Sequence, residues 1–493
     1  MANRAVLRKP QRGLVPVPPR LRGVLAPLDL LFPAAPAQAA TVQQAATVQQ
    51  AAPVRRAGTV RAATVQAAAV CVGTVVLLLR IASVPAWDCL YAEDRGVFLV
   101  DALAHPWRLI VPYGGYEEFL PRLIAQLVSY LPLADAAFGC AAAGAAVAAL
   151  CALFIFHASD GHIRSPWLRA LLGAALILLP LAPIEIADSG VNSPWYALAA
   201  TFFALLWRPR TRAGMAAAAL VAFCATSSEI LAVIYLPLVL IRLIALPRLR
   251  DHAVTAGWSA GLLLQVPVVA QTYAEHTQRL GRLATPGAAV GFYFHNVALR
   301  ALGWRLSVHL VRVAGDNGAT VIVCAVLAVM AGWALAQGGQ ARAFTVTALA
   351  TGFAAAVFAA TVVPYVTSQS VLYGRISFEG GSRYATVPVM LFDAVALVAA
   401  DACLRRGLTR RAAPGLTRRA ARGALAAALA VACVLAVGWA TDFRYRTERT
   451  TNGHWAATAR TWLDACARSR DGAISVPAWQ VGHVVVECSR LRP

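Results

Sequence analysis

The sequence predicts an all-α transmembrane protein with about eleven membrane-spanning helices, interfacial helices in its first outer loop and a small external C-terminal α/β segment. Three observations predict it. Of the 493 residues, 59% are hydrophobic and only 14% are charged, against roughly half and a quarter in soluble domains. The mean hydropathy is +0.62. The apolar residues come in blocks of about 20, the length that crosses a bilayer. The net charge of +21 is concentrated in short loops between those blocks and in the N-terminal stretch, as the positive-inside rule requires of a cytoplasmic side.

This distribution of charge argues against a nucleic-acid partner. The arginines neither line one amphipathic face nor alternate with aromatics in a patch. Of the ten cysteines, Cys71, Cys140, Cys151, Cys224, Cys324 and Cys433 fall in apolar blocks, where Cys packs as a small hydrophobe. No Cys/His spacing of a metal site occurs.

Residues 1–62 hold no apolar stripe of helical period and are expected to form a disordered basic cytoplasmic tail. Residues 63–440 form the membrane domain. Its first span is expected over 67–84, with Arg80 near the outer end and free to snorkel. Spans follow at 135–156, 167–187, 194–207, 213–227, 229–246, 253–272, 319–336, 343–365, 386–402 and 421–440, of which the block around 194–207 is the weakest because it is short. Outer loops cover 85–134, 273–318 and 366–385. Within the first, Pro121–Leu133 is apolar but too short to span, and reads as interfacial or re-entrant.

Arg164, Arg208, Arg210, Arg212, Arg242, Arg248, Arg250, Arg342 and a cluster from Arg405 to Arg422 alternate onto one side. Glu93, Asp94, Glu117, Glu118, Asp188 and Glu229 alternate onto the other. The N-terminus is therefore expected inside, and the long loops and the external segment 441–493 outside. In that segment Trp455–Ala467 has helical spacing, and Ala473–Val476 and His483–Val486 read as short strands. Cys466 and Cys488, in an oxidising compartment, are expected to form a disulfide.

The residues that could carry chemistry lie on the outer side. Glu93 and Asp94 can serve as a general base, bind a divalent cation, or stand as a solvated pair. Tyr113 and Tyr116 flank Gly114-Gly115, a tight turn, and offer flat faces and hydroxyls suited to a sugar; Glu117, Glu118 and Arg122 follow. A guanidinium at the membrane surface can pair with phosphate or simply snorkel. Glu185, Asp188 and Glu229 sit at span ends, where an ionisable group is costly and points to function. Arg375, Arg383 and Tyr384 precede the tenth span; these two cations on the outer side either bind an anionic ligand or pair locally.

From the acidic pair through Tyr113–Arg122 to Arg383-Tyr384, the layout resembles the GT-C superfamily of membrane glycosyltransferases, which includes protein mannosyltransferases, oligosaccharyltransferases and arabinosyltransferases. The resemblance covers roughly residues 67–440. It implies transfer of a sugar from a polyprenyl-phosphate donor to a glycan or glycolipid acceptor on the outer face of a bacterial cytoplasmic membrane. By position Asp94 matches the family's acidic residue that serves as base or helps bind the acceptor, with Glu93 beside it. The same outer-face polar groups would also suit a transporter or flippase for a lipid-linked glycan, or a non-catalytic membrane subunit. A transporter should show inverted repeats and interrupted midplane helices, and the sequence shows neither clearly.

Overall fold

The structure is a computed structural model that describes residues 30–33, 52–81, 86–180, 182, 185–246, 248–279, 297, 301, 303–362, 382–411, 418–444, 454–478 and 482–492. Helix α1 (Ala52–Leu78) leads into the first loop. That loop holds a π-helical turn (Asp94–Leu99), the short α2 (Val100–Ala104), a two-stranded hairpin (β1 Pro112–Tyr113, β2 Tyr116–Glu117) and α3 (Phe119–Val128). Then come α4 (Ala136–Ala158), α5 (Pro166–Leu178), α6 (Pro194–Leu206), α7 (Arg212–Thr226), α8 (Leu236–Ala245), α9 (Ala253–Arg279), α10 (Trp304–Ala336), α11 (Gly339–Val362), α12 (Thr386–Arg411) and α13 (Arg418–Thr441). The C-terminal segment is α14 (Trp455–Arg468) followed by the antiparallel hairpin β3 (Ala473–Ala478) and β4 (Gly482–Glu487), in which Val476 pairs with Val484.

Among the described residues, six helical stretches are long and apolar enough to cross a membrane: Arg61–Leu78, Leu133–Ala158, Leu249–Thr272, Asn317–Ala336, Gly339–Phe358 and Arg383–Arg406. Shorter apolar helices stand among them, and α6 is the extreme case. Its thirteen residues rise about 20 Å, yet every one of them is buried. What looked like the weakest span is the centre of the bundle, where a helix needs to satisfy only its neighbours.

Several boundaries differ from the sequence expectation. The block over 167–187 ends as helix at Leu178, before Pro180, and the backbone then turns through 185–190. A proline removes an N–H donor and disfavours helix for the residue before it. The block at 229–246 opens with a 3-10 turn (Ile230–Tyr235) before α8. The loop drawn over 273–318 is helical at both edges, because α9 runs on to Arg279 and α10 starts at Trp304; Gly315 (φ 70°, ψ 169°) breaks α10 just before its membrane-length part. Most of 366–385 lies outside the described residues, including Arg375.

Arg80 is also a correction. It does not snorkel to an interface but is fully buried, donating to the carbonyls of Ile177 (2.7 Å), Leu179 (2.9 Å), Phe443 (3.3 Å) and Asp442 (3.4 Å). The end of α5 leaves carbonyls without intrahelical donors, and the planar guanidinium fork supplies them.

The basic and acidic loops collect at opposite ends of the bundle. At the basic end Asp401 accepts from the backbone of Arg164 and Ser165 and pairs with Arg405 at 2.9 Å, while Arg242 is buried against the carbonyls of Leu205 and Asp251. At the other end the C-terminal segment shares one apolar core with the first loop. Trp455, Trp462, Val476, Val486 and Leu491 pack with Leu103, Leu120 and Ile124. The Trp455 indole donates to Leu133 O (2.7 Å), Leu133 N donates to Arg492 O (2.8 Å), and Asp88 accepts from Ala456 N (3.0 Å) at the start of α14. Cys466 and Cys488 are disulfide-bonded across 22 residues.

Candidate functional site

The acidic end carries a cluster assembled from four chain segments. The β1–β2 hairpin turns on Gly114 and Gly115, both at positive φ (60° and 99°). It sets Tyr113 and Tyr116 beside the start of α3, which brings Glu118. Tyr113 lies close enough to Glu93, and Tyr116 to Glu118, for each carboxylate to act on the neighbouring phenol. Glu229 approaches from the link between α7 and the 3-10 turn, where its Oε1 accepts from Leu231 N (3.2 Å). Arg383 and Tyr384 arrive at the head of α12. The Arg383 guanidinium lies 5.3 Å from the Tyr384 ring, and that ring stands edge-on to Trp195 at 5.0 Å. Glu185 Oε2 holds the backbone N–H of Arg383 at 2.9 Å.

Electrostatics follow from this crowding. Burial, and after it the neighbouring Glu229 carboxylate, push Glu118 well above the usual carboxylate range. Burial alone outweighs the Leu231 hydrogen bond and Arg383 in lifting Glu229 to about 7. Tyr116 is raised by burial and then by Glu118, and Tyr113 by burial and then by Glu93. Arg383 is the cation that opposes all four shifts. The site is thus two carboxyl groups that burial pushes upward, two phenols and one guanidinium.

Other residues named from the sequence sit elsewhere. Asp94 is buried and faces the turn between α5 and α6: Oδ2 accepts from Ser189 Oγ (3.0 Å) and Gly190 N (3.0 Å), and Oδ1 from Val191 N (2.8 Å). A side chain at position 190 would meet that carboxylate, since a Cβ there would lie 2.8 Å from Asp94 Oδ1. Arg122 is buried too, paired with Asp101 at 2.6 Å, bonded to Val111 O at 3.0 Å and stacked on Phe98 at 5.4 Å. Glu117 turns to Gln265, which accepts from its N–H (2.8 Å) and donates to its C=O (3.0 Å); burial raises its carboxyl to about 7 against the hydrogen bond from Val111 and the charge of Arg122. Asp188 is buried in the 185–190 turn at φ 54° and acts on Arg80. The non-glycine residues at positive φ among those described, Ala92, Trp107 and Asp188, all belong to this end of the molecule, where stored backbone strain commonly accompanies function.

Sequence reasoning missed Ser189, Gly190, Gln265 and Asp101, which fix the cluster's supports, and Trp195, which backs Tyr384. Only Gly190, beside a buried-looking acidic turn, carried a signal that could have been read. Among the described residues no three His, Cys, Asp or Glu side chains converge to hold a metal ion.

No family model matches the chain, and no curated protein matches it. Among solved structures it is similar to ArnT from Cupriavidus metallidurans in the apo state. The identity is 15%, the match covers 83% of this chain and 80% of that chain, and the TM-score is 0.39.

Proposed function

We propose that this protein is a membrane glycosyltransferase of GT-C type that moves a sugar from a polyprenyl-phosphate donor to a glycan or glycolipid acceptor. The basic end faces the cytoplasm and the acidic cluster faces outward, with the shorter apolar helices completing the eleven spans. The observation that carries the reading is the meeting of the buried Glu118 and Glu229 with the half-buried Arg383, from three distant segments, in one cluster at the acidic end.

The chemistry needs a proton acceptor for the attacking hydroxyl and a cation for the departing phosphate. Two carboxyls whose hold on a proton is strengthened by burial supply the first. Whichever of Glu118 and Glu229 is ionised takes the hydroxyl proton, and Glu93, tied to Tyr113, orients the acceptor. Arg383 supplies the second; a guanidinium matches phosphate in two-pronged fashion. Tyr113, Tyr116 and Tyr384 offer faces to the sugar. Asp94, expected from the sequence to be the base, has three donors on its two oxygens; in this reading it is a positioning residue that holds the 189–191 turn. Arg122 likewise braces the loop rather than the donor.

The test is mass spectrometry of envelope glycans and glycolipids from a deletion strain. The strain is complemented with wild type, Glu229→Gln, Glu118→Gln or Arg383→Gln. Loss of one glycosyl unit, restored by wild type and by none of the three variants, is the expected result. An unchanged glycan profile on deletion, or full restoration by Glu229→Gln and Glu118→Gln alike, sinks the proposal.

A further inference from the structure

Helix α1 meets α4 and α5 closely at one point. A Cβ on Gly73 would lie 2.8 Å from Ile177 Cδ1 and 3.1 Å from Ala149 Cβ, so only glycine lets the helices touch there. From that crossing α1 diverges toward the basic end, and the gap is a groove of about 700 Å³. That size lies within the range of ligand sites, roughly 300–1,000 Å³. Ala149, Ala152 and Gly173 form its floor; Val65, Ala69 and Ala170 form exposed walls. The body of the groove is apolar and lies between two stretches long and apolar enough to cross a membrane, Arg61–Leu78 and Leu133–Ala158, and the shorter apolar α5.

Its mouth is different. Arg61 lines it, and Gln66 contacts His157 across it at 3.2 Å. Arg169, one turn before the floor glycine, stacks 4.8 Å above the Phe156 ring of the groove wall, and its Nε has no hydrogen-bond partner. The acidic neighbour is Asp160, which lies within electrostatic reach of Arg169, Arg210 and His157. The mouth therefore keeps a surplus of positive charge over an apolar slot.

We propose that this groove binds an anionic phospholipid from the leaflet at the basic end. One acyl chain lies along the slot up to the Gly73 crossing, and the phosphate sits between Arg61 and Arg169. Charge complementarity selects the headgroup, since basic pockets between helices hold anionic lipids and each cation at the surface contributes about 1 kcal/mol, or about fivefold in affinity. The inference is independent of the catalytic reading, because it concerns the opposite end of the bundle.

The experiment is native mass spectrometry of the full chain released from micelles with dioleoyl phosphatidylglycerol or dioleoyl phosphatidylcholine. Wild type is expected to retain phosphatidylglycerol about 25-fold better. An Arg61→Ala, Arg169→Ala double variant is expected to lose that preference while keeping its phosphatidylcholine occupancy, which also reports an intact groove. Ala170→Trp, a change at an exposed wall, is expected to lower the occupancy of both lipids. Equal retention of the two lipids by wild type, a preference that survives in the double variant, or occupancy untouched by Ala170→Trp would each overturn the proposal.

Discussion

Replacing Asp94 by Asn separates a carboxylate that holds a turn from one that reacts. The side chain keeps its volume but loses one of its two acceptor oxygens and gains an amide donor. In the wild type the carboxylate accepts from Ser189 Oγ, Gly190 N and Val191 N at 2.8–3.0 Å. Hydrogen bonds to a charged group contribute about 1.5–3 kcal/mol each. Asn retains one oxygen, so at least one backbone donor of the turn loses its acceptor and faces an N–H₂ instead. The expected local loss is about 3 kcal/mol, which at tenfold per 1.4 kcal/mol is on the order of a 100-fold faster opening of the turn. Hydrogen exchange at the Gly190 and Val191 amides in micelles reads that opening. Exchange accelerated in this way, with turnover reduced in step, supports the positioning role. Unchanged exchange together with abolished turnover would refute it and return Asp94 to the role of base.

Three further outcomes are expected. Glu229 holds its proton in the folded protein up to about pH 7, whereas the unfolded carboxyl releases it near 4.5, so stability falls as pH rises between those values. The loss is at most about 3 kcal/mol, and Glu229→Gln should flatten the thermal midpoint between pH 5 and 8; an unchanged slope contradicts the burial argument. Opening the Cys466–Cys488 bridge, which spans 22 residues, should cost the C-terminal segment about 3 kcal/mol in the chain-entropy account, seen as faster proteolysis of the β3–β4 hairpin under reducing conditions; equal cleavage rates would count against it. Trp455→Ala removes a fully packed indole and its bond to Leu133 O, a loss of about 3–5 kcal/mol, and should make the 454–492 segment protease-sensitive while leaving membrane insertion intact.

Composition made the helical membrane architecture readable, because apolar blocks of bilayer length have few other uses. The alternation of arginine-rich and acid-rich loops was readable from the same text, but not the ion of opposite sign that each set takes in, Asp401 beside Arg405 and Arg383 beside Glu229. Periodicity could not tell which apolar block is central: α6 is buried on all sides, and a helix apolar all round reads alike as a core helix or as a membrane span. The site was legible as a set of residue types but not as a partition. Glu117 and Glu118 are neighbours in sequence, yet the carboxylate of one faces Arg122 and that of the other Glu229. Glu93 and Asp94 divide in the same way, because a helical turn points consecutive side chains about 100° apart. Arg80 and Arg122 read as interfacial cations, and burial against carbonyls or Asp101 depends on partners remote in sequence.

The docking of the C-terminal segment sets an order of manufacture. Leu133, which closes the first outer loop, is bonded to Trp455 and Arg492, residues translated more than three hundred positions later. Each helix can enter the bilayer as it emerges, but the loop that bears Glu93, Tyr113 and Glu118 gains its covering core only when residues 455–491 have been made. A chain cut short before Trp455 therefore leaves Leu103, Leu120 and Ile124 without the apolar partners that pack on them.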